Sequence, residues 1–375
     1  MSGDGVPDRD VHVSIARGRL PVALAFVVAL ASCGGAGGTA DGTVELKLGH
    51  VGAPGSLYDR TAVEFARRVA AESNGEVTVA VFGSSQLGGD ETLLQKLKLG
   101  TIDLALPSTV MSSTIDQFGL FEMPYLVEDR AHMRRIEERV IWPTLAPLAE
   151  THGYRILAVW ENGFRHVTND VRPIVEPGDL AGIKLRTPSG VWRVKLFKAL
   201  GANPTPMAYS EVFMALQTGV MDGQENPLAQ IWGARLHEVQ DYLSLTGHVY
   251  TPAFLTAGVG RWSRHPEDVR ALVERVARDI QPWVYATADS LDAELLEALR
   301  GEGTAVNEAD RARFLAASRT VYDEFSGTVE GGAELLEAAR AAADTAAGAE
   351  GATSGTPGEE AGSGAGAAGD GSGAP

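Results

Sequence analysis

The sequence predicts an α/β fold in two lobes. Three observations carry that expectation. Strand-type and helix-type runs alternate from Val44 onward, a second alternating set begins at Tyr154, and no long Pro/Gly linker separates the two. Alternation of this kind builds parallel sheets covered by helices, and the missing linker makes the two sets lobes of one unit.

The first set reads in order. Val44 to His50 (VELKLGH) alternates apolar and polar residues, as a half-buried strand does. Ser56 can cap a helix to about Ser73, with Tyr58, Ala62, Phe65 and Val69 on one stripe, and Asn74-Gly75 ends it. Val77 to Phe82 is a second strand. Asp90 caps a helix carrying Leu93, Leu94 and Leu97, which stops at Gly100, and Ile102 to Leu106 is a third strand. This βαβαβ order implies parallel pairing with right-handed crossovers. Phe118 to Leu126 is apolar and broken by Pro124, and helices near 130–139 and 143–152 follow.

In the second set, Tyr154 to Trp160, Arg165 to Thr168 and Ile183 to Arg186 read as strands. Val191 to Leu200, Tyr209 to Thr218 and Pro227 to Leu236 read as helices. Val249 to Val259 is largely apolar and reads as a buried strand. Beyond it, Pro266 to Leu299, Glu308 to Phe325 and Gly331 to Ala343 have helical spacing.

The two ends fall outside this pattern. Arg17 and Arg19 precede the apolar run Pro21 to Leu30, which ends in Leu30-Ala31-Ser32-Cys33. That run has the length of an export-signal core and is short for a membrane span. Small residues before the only Cys give the form of a bacterial lipobox, with Cys33 as the lipid attachment point. From Thr345 to Pro375 the chain is rich in Gly and Ala, with four acidic residues and no basic one, and reads as a solvated extension.

Composition narrows the function. The chain has 375 residues, 44% hydrophobic and 22% charged, and a net charge of −17. Nucleic-acid binding needs a basic face, so no nucleic-acid partner is expected. One Cys forms no internal disulfide, and the eight His, spread from His12 to His265, show no metal-ligand spacing, so neither metal nor cofactor is expected. There is no G-x-S-x-G, no H-E-x-x-H and no Walker A loop, and Ser263 interrupts the G-x-G-x-x-G-like stretch that starts at Gly258. Nothing argues for an enzyme.

Three polar stretches stand out instead. They are Trp160 to Arg165 (WENGFR), Gly182 to Arg186 (GIKLR) and Asp222 to Pro227 (DGQENP), the last read as a turn entering a helix. In open α/β folds ligands sit beyond the carboxyl ends of strands, and Arg186 falls at such an end. An Arg there can clamp a carboxylate through two parallel hydrogen bonds, which a Lys cannot copy. Arg186 can equally be a partly exposed structural cation. Asn226 can offer its amide to the same ligand or cap the helix that Pro227 starts.

At these stretches the sequence resembles the solute-binding proteins of tripartite ATP-independent periplasmic (TRAP) transporters, the DctP-type family. The segments carrying the likeness are Ser84 to Gly88 (SSQLG), GIKLR, Lys198 to Pro204 (KALGANP), Pro206 to Val212 (PMAYSEV) and Asp222 to Leu228 (DGQENPL), within a likeness from about Glu45 to Phe325. The resemblance implies a two-lobed, periplasmic-binding-protein-like fold, with a ligand cleft between lobes, hinge strands and a long bracing helix after Pro266. It implies a signal peptide over 1–32, a tether over 33–43, lobe 1 over 44–158 completed by part of 249–344, and lobe 2 over 159–248. A hinge-crossing strand and C-terminal helices fill 249–344, before the tail at 345–375.

By the same resemblance, Arg186 pairs with the ligand carboxylate at two points, Asn226 bonds the same end, and Arg165 contacts the ligand. Tyr209 holds the aromatic position. His50 and Ser108 fall where relatives place variable ligand-contacting groups. The ligand is expected to be an organic acid, a uronate or other sugar acid first and a C4-dicarboxylate second. Trp160, Phe164, Trp192 and Tyr209 supply aromatic faces near the motifs, and Arg193 is a solvated helix residue or a third anion contact. The partners implied are the small and large membrane subunits of a sodium-driven transporter, with a lipid anchor at Cys33 holding the protein to a membrane outside the cytoplasm. Two other classes stay open: a ligand sensor for a membrane kinase and an extracytoplasmic hydrolase.

Overall fold

The computed structural model describes residues 43–350. The described strands are β1 Val44–Gly49, β2 Val77–Phe82, β3 Leu104–Ala105, β4 Tyr154–Asn169, β5 Lys184–Thr187, β6 Asn203–Pro206, β7 Gly223–Asn226, β8 Tyr242–Gly258 and β9 Ala305–Glu308. They form one mixed sheet in the order β2-β1-β3-β8-β4-β7-β5-β6, with β9 also on β8. The first parallel set, β2-β1-β3, is the predicted βαβαβ unit. The second is β7-β5-β6.

Two long strands join these sets. β4 and β8 pair antiparallel from Tyr154 against Gly258 to Asn169 against Tyr242. β3 joins this ladder at Thr256 and Ala257 of β8, and β7 joins it at the other end, along His166–Asn169 of β4. β8 is buried along nearly its whole length, as a strand covered on both faces must be. Alternate residues of the two strands feed separate apolar clusters. Tyr154, Ile156, Val159 and Phe254 enter one, while Leu157, Trp160, Ala253 and Leu255 enter the other.

The sequence reading split β4 at Glu161–Phe164, and the structure corrects it. The strand continues through register shifts between Ile156 and Ala158, Glu161 and Gly163, and Arg165 and Val167. Gly163 sits at φ +120°, which a side chain rarely adopts, so the bulge requires glycine there. Asp222–Pro227 is also not a turn: Gly223–Asn226 is β7. A Cβ at Gly223 would lie 2.4 Å from Thr168 O, so only glycine lets β7 close onto β4.

The helix Leu57–Glu72 starts where expected, with Ser56 Oγ accepting from Asp59 N and the predicted stripe buried. The next, Asp90–Leu99, starts at Gly89, and Asp90 makes no capping bond. The Asp90 cap is therefore overturned. Pro266 to Leu299 is two helices, Glu267–Asp279 and Gln281–Gly301, broken at Ile280 just before Pro282. The second packs on β4, on Leu57–Glu72 and on Leu228–Gly233, and so touches elements of both parallel sets. Glu308 to Phe325 holds the end of β9 and two helices, Arg311–Ala317 and Arg319–Thr328. The last helix, Gly332–Glu350, runs into the segment read as a tail.

Among the described residues no helix is long and apolar enough to cross a membrane. The signal segment, Cys33, most of the tether and the rest of the tail lie outside the described residues.

Candidate ligand-binding site

The strand–helix junctions of both parallel sets converge on one small cavity, of about 40 Å³. From the first set come Tyr58, in the helix after β1; Asp90, opening the helix after β2; and Ser108 and Thr109, just past β3. From the second come Arg186 of β5, Tyr209 after β6, and Asn226 and Gln230 at and after the end of β7. The bulged middle of β4 adds Asn162 and Arg165. Loops past the carboxyl ends of strands are where such sheets place ligands.

Of the residues the sequence singled out, Arg186, Asn226, Arg165, Tyr209 and Ser108 all line this cavity. His50 does not. It is fully buried, edge-on to Tyr58, with both ring nitrogens unpartnered and Asp59 4.0 Å away. Burial pulls its ring down to about 4, against the opposite pull of Asp59, so it is neutral at neutral pH.

Arg186 is 3% exposed. Its Nε and Nη2 donate to Met207 O at 3.0 and 2.6 Å, which fixes the plane of the guanidinium. No carboxylate among the described residues lies within ion-pair distance. Burial pulls its pKa down to about 10, with Glu225 raising it and Arg165 lowering it, so it stays charged. Three of its five N–H groups are left for a ligand.

Arg165 is held differently. Its Nε donates to Glu225 Oε2 at 2.5 Å, and its Nη2 donates to Glu225 O, Glu225 Oε1 and Asn226 Oδ1. Nη1 makes no hydrogen bond among the described residues. Asn226 Nδ2 donates to Gln224 Oε1, so Asn226 is locked by its neighbours and does not cap the helix Leu228–Gly233.

Behind these groups lies a buried charge network that the sequence reading missed. Arg193 is neither solvated nor in the cavity: it is fully buried between Glu122 and Glu225. His248 Nε2 lies 3.0 Å from Glu225 Oε2, and its Nδ1 pairs with Thr246 Oγ1. Burial pulls His248 down to about 4 despite Glu225, so the neutral ring donates to Glu225. Burial pushes the Glu225 carboxyl up, but Arg165, Arg193 and the His248 hydrogen bond outweigh it and hold it well below the usual range. Two arginines thus face two glutamates, and Arg186 is left as the excess cation. Among the described residues no group of His, Cys, Asp and Glu side chains is placed to hold a metal ion.

The aromatic faces come from Tyr58 and Tyr209, whose OH donates to Gln230 O at 2.7 Å. Trp160 packs on Phe65, Phe164 on Tyr250 and Trp192 on Phe325, and none of the three lines the cavity. Asp90 was missed because its place before Glu91 and Thr92 looks like an ordinary helix start.

Known proteins share the sequence pattern and the fold. Residues 48–328 match the family model "Bacterial extracellular solute-binding protein, family 7", DctP. A solute-binding protein of Verminephrobacter eiseniae is 36% identical over 264 residues, 70% of this chain and 78% of the relative. The sugar acid binding protein DctPAm of Advenella mimigardefordensis, solved with galactonate, superposes with a TM-score of 0.77 at 30% identity, over 80% of this chain and 99% of that one. A TRAP periplasmic solute-binding protein of Sulfurospirillum deleyianum, solved with succinate, superposes at 0.76 and 30% identity, over 80% and 99%. The two-lobed α/β fold is thus shared with periplasmic receptors for acids, and the chain belongs to the DctP family of bacterial extracellular solute-binding proteins.

Proposed function

We propose that this chain captures a small organic acid outside the cytoplasm by closure of two lobes and delivers it to the membrane subunits of a sodium-driven TRAP transporter. One observation carries the reading: Arg186 is a buried, oriented cation with no carboxylate among the described residues within ion-pair distance, at the wall of a small cavity. A buried charge without a partner is costly, and a ligand carboxylate taking its free N–H groups removes that cost. Arg165 Nη1 and the second N–H of Asn226 Nδ2 can meet the same carboxylate or a neighbouring hydroxyl. The DctP likeness supports transport over enzymatic turnover.

In this reading lobe 1 is 44–158, completed by part of 249–344, lobe 2 is 159–248, and β4 and β8 are the strands that flex between them. The helix Gln281–Gly301 packs on elements of both sets and suits the bracing role. The ligand class is a uronate or other sugar acid. Cys33, once acylated, anchors the chain to a membrane, and Cys33→Ser is expected to move it to the soluble extract; continued need for detergent would refute the anchor.

The test of the function is a thermal-shift screen of the full chain, unfolded and refolded to remove any co-purified acid. Uronates, aldonates, C4-dicarboxylates, 2-oxo acids and sulfonates form the panel. A ligand that binds only the native state raises Tm with concentration. A dose-dependent shift with one acid class is expected. No shift with any acid, together with no acid in the mass spectrum of the unfolded protein, would overturn the reading.

A further inference from the structure

We propose that the start of the helix Val191–Ala199 is a latch between the lobes: Trp192 and Arg193 hold lobe 2 to lobe 1 outside the cavity and raise the affinity for every acid alike. This rests on the two-lobed closure proposed above.

The contact begins at the edge of the cavity. Pro188 lines it from lobe 2, and Thr109 and Val110 line it from lobe 1. The two chain segments then leave the cavity side by side. Gly190 faces Ser112, whose Oγ is 3.0 Å from where a Cβ on Gly190 would stand. Trp192 is 2% exposed and lies across Gly119. A Cβ on Gly119 would come within 2.4 Å of Trp192 Cδ1, so the ring seats only on glycine. The other side of the ring meets Phe325 edge-on, with centroids 5.1 Å apart. Arg193 Nε donates to Glu122 Oε2 at 2.8 Å, and its Nη2 lies 2.7 Å from the same oxygen. Lys195, one turn after Trp192, stands over the indole and pairs with Glu324. Neither Trp192, Arg193, Gly119 nor Glu122 lines the cavity.

Two features mark a contact that forms and breaks. Trp192 Nε1 is buried with no hydrogen-bond partner. That cost is carried only while the lobes are together, because water reaches the N–H once they part. The second feature is the charge pairing. Glu122 has Arg193 as its only ion-pair partner among the described residues, whereas Glu225, in lobe 2 with Arg193, also has Arg165 and His248. The Arg193–Glu122 pair is thus a buried charge contact that crosses between the lobes.

Contacts made only with the lobes together raise the population of that state. The apparent Kd is the intrinsic Kd divided by the closed fraction. A contact that no ligand touches changes this fraction by one factor, whatever acid is bound. A residue of the cavity would instead discriminate between acids.

Arg193 also serves lobe 2 through Glu225, so the test acts from the lobe 1 side. Burial raises the Glu122 carboxyl against the pull of Arg193, so the acceptor is removed rather than its charge. Gly119→Ala and Glu122→Ala are made in the full chain carrying Cys33→Ser. Spin labels on Val63→Cys in lobe 1 and Met214→Cys in lobe 2, both exposed positions, read the distance between the lobes. Calorimetric titration of the refolded proteins with D-galactonate and with D-glucuronate reads Kd. Each variant is expected to move the ligand-free distances toward longer values. Each is also expected to raise Kd at least about tenfold, by the same factor within about twofold for every acid bound. A folded variant with unchanged distances, or with Kd within about twofold of wild type, overturns the latch. So does a loss confined to one of two acids that the wild type binds. If neither variant folds, the contact belongs to the core and the proposal falls. If the wild type binds neither acid, the acid-binding reading is what fails, and the ligand-free distances alone decide the latch.

Discussion

Replacing Arg186 by lysine keeps the positive charge and removes the fork. In the native cavity the guanidinium spends Nε and Nη2 on Met207 O and still has three N–H groups to offer. A lysine ammonium is a single point with three donors and cannot hold Met207 O while facing a carboxylate at two points. Loss of one charge-assisted hydrogen bond costs about 1.5–3 kcal/mol, or about 10- to 150-fold in Kd. Arg186→Ala leaves the ligand carboxylate unpaired as well, at about 2–5 kcal/mol, or about 30- to 5,000-fold. The ligand-free protein behaves differently. Arg186 is a buried cation with no acidic partner, so its removal relieves desolvation and leaves only Met207 O to be satisfied. The ligand-free Tm should therefore move by no more than a few degrees. Titration calorimetry of refolded protein with the acid that gives the largest thermal shift measures the first quantity, and calorimetric unfolding measures the second. A Kd within twofold of wild type in Arg186→Lys would refute the clamp. A large drop in ligand-free Tm in Arg186→Ala would refute the claim that this arginine waits for a ligand.

Arg193→Ala should have the opposite profile. It strips one partner from both Glu122 and Glu225, so urea unfolding should show a loss of about 3–5 kcal/mol; a loss below about 1 kcal/mol would contradict the network. Gly163→Ala forces a side chain into φ +120° with its Cβ 3.4 Å from Pro227 Cβ, costing about 1–3 kcal/mol, and it should weaken acid binding by displacing Arg165. Unaltered binding in that variant would show that the bulge does not aim Arg165. The Asp90 carboxyl titrates at about 7 when folded, above its ordinary 3.8, so the folded state takes up the extra proton between those values. The stability this supplies is complete below about pH 4 and lost as pH rises through 7. The ligand-free Tm of wild type relative to Asp90→Asn should therefore fall between pH 4 and 8, and a difference that is flat with pH would refute the burial of that carboxyl.

β1, β2, β3 and β5 were legible as short runs of strand pattern, as in VELKLGH before the Tyr58–Val69 stripe, whereas the parallel strands β6 and β9 were not read and β7 was read as a turn. β4 was split, because a buried strand with Glu161 and Asn162 inside it looks like a turn. Their partners are remote: Arg130 pairs with Glu161, and Ser108 and Thr251 bond Asn162. Only those contacts make the polar residues tolerable in a core. Arg186 could be placed by its position at a strand end. Arg193 could not, since it sits amid apolar residues with no charged neighbour to pair with, and its acidic partners are 71 and 32 residues away. Asp90 failed for a related reason: a helix-start Asp has a good local explanation, and the cavity that overrides it exists only once β2, β5 and β7 share a sheet. Local chemistry thus marked Arg186 by its position, and passed over Arg193, whose partners come from distant segments.

The central claim, that Arg186 is the anchor for a ligand carboxylate, is tested most directly by a crystal structure of the refolded protein grown with D-galactonate. The account predicts the carboxylate in two-point contact with the Arg186 guanidinium. Galactonate bound with its carboxylate away from Arg186, or an Arg186 still facing only Met207 O beside a ligand bound elsewhere, would contradict it.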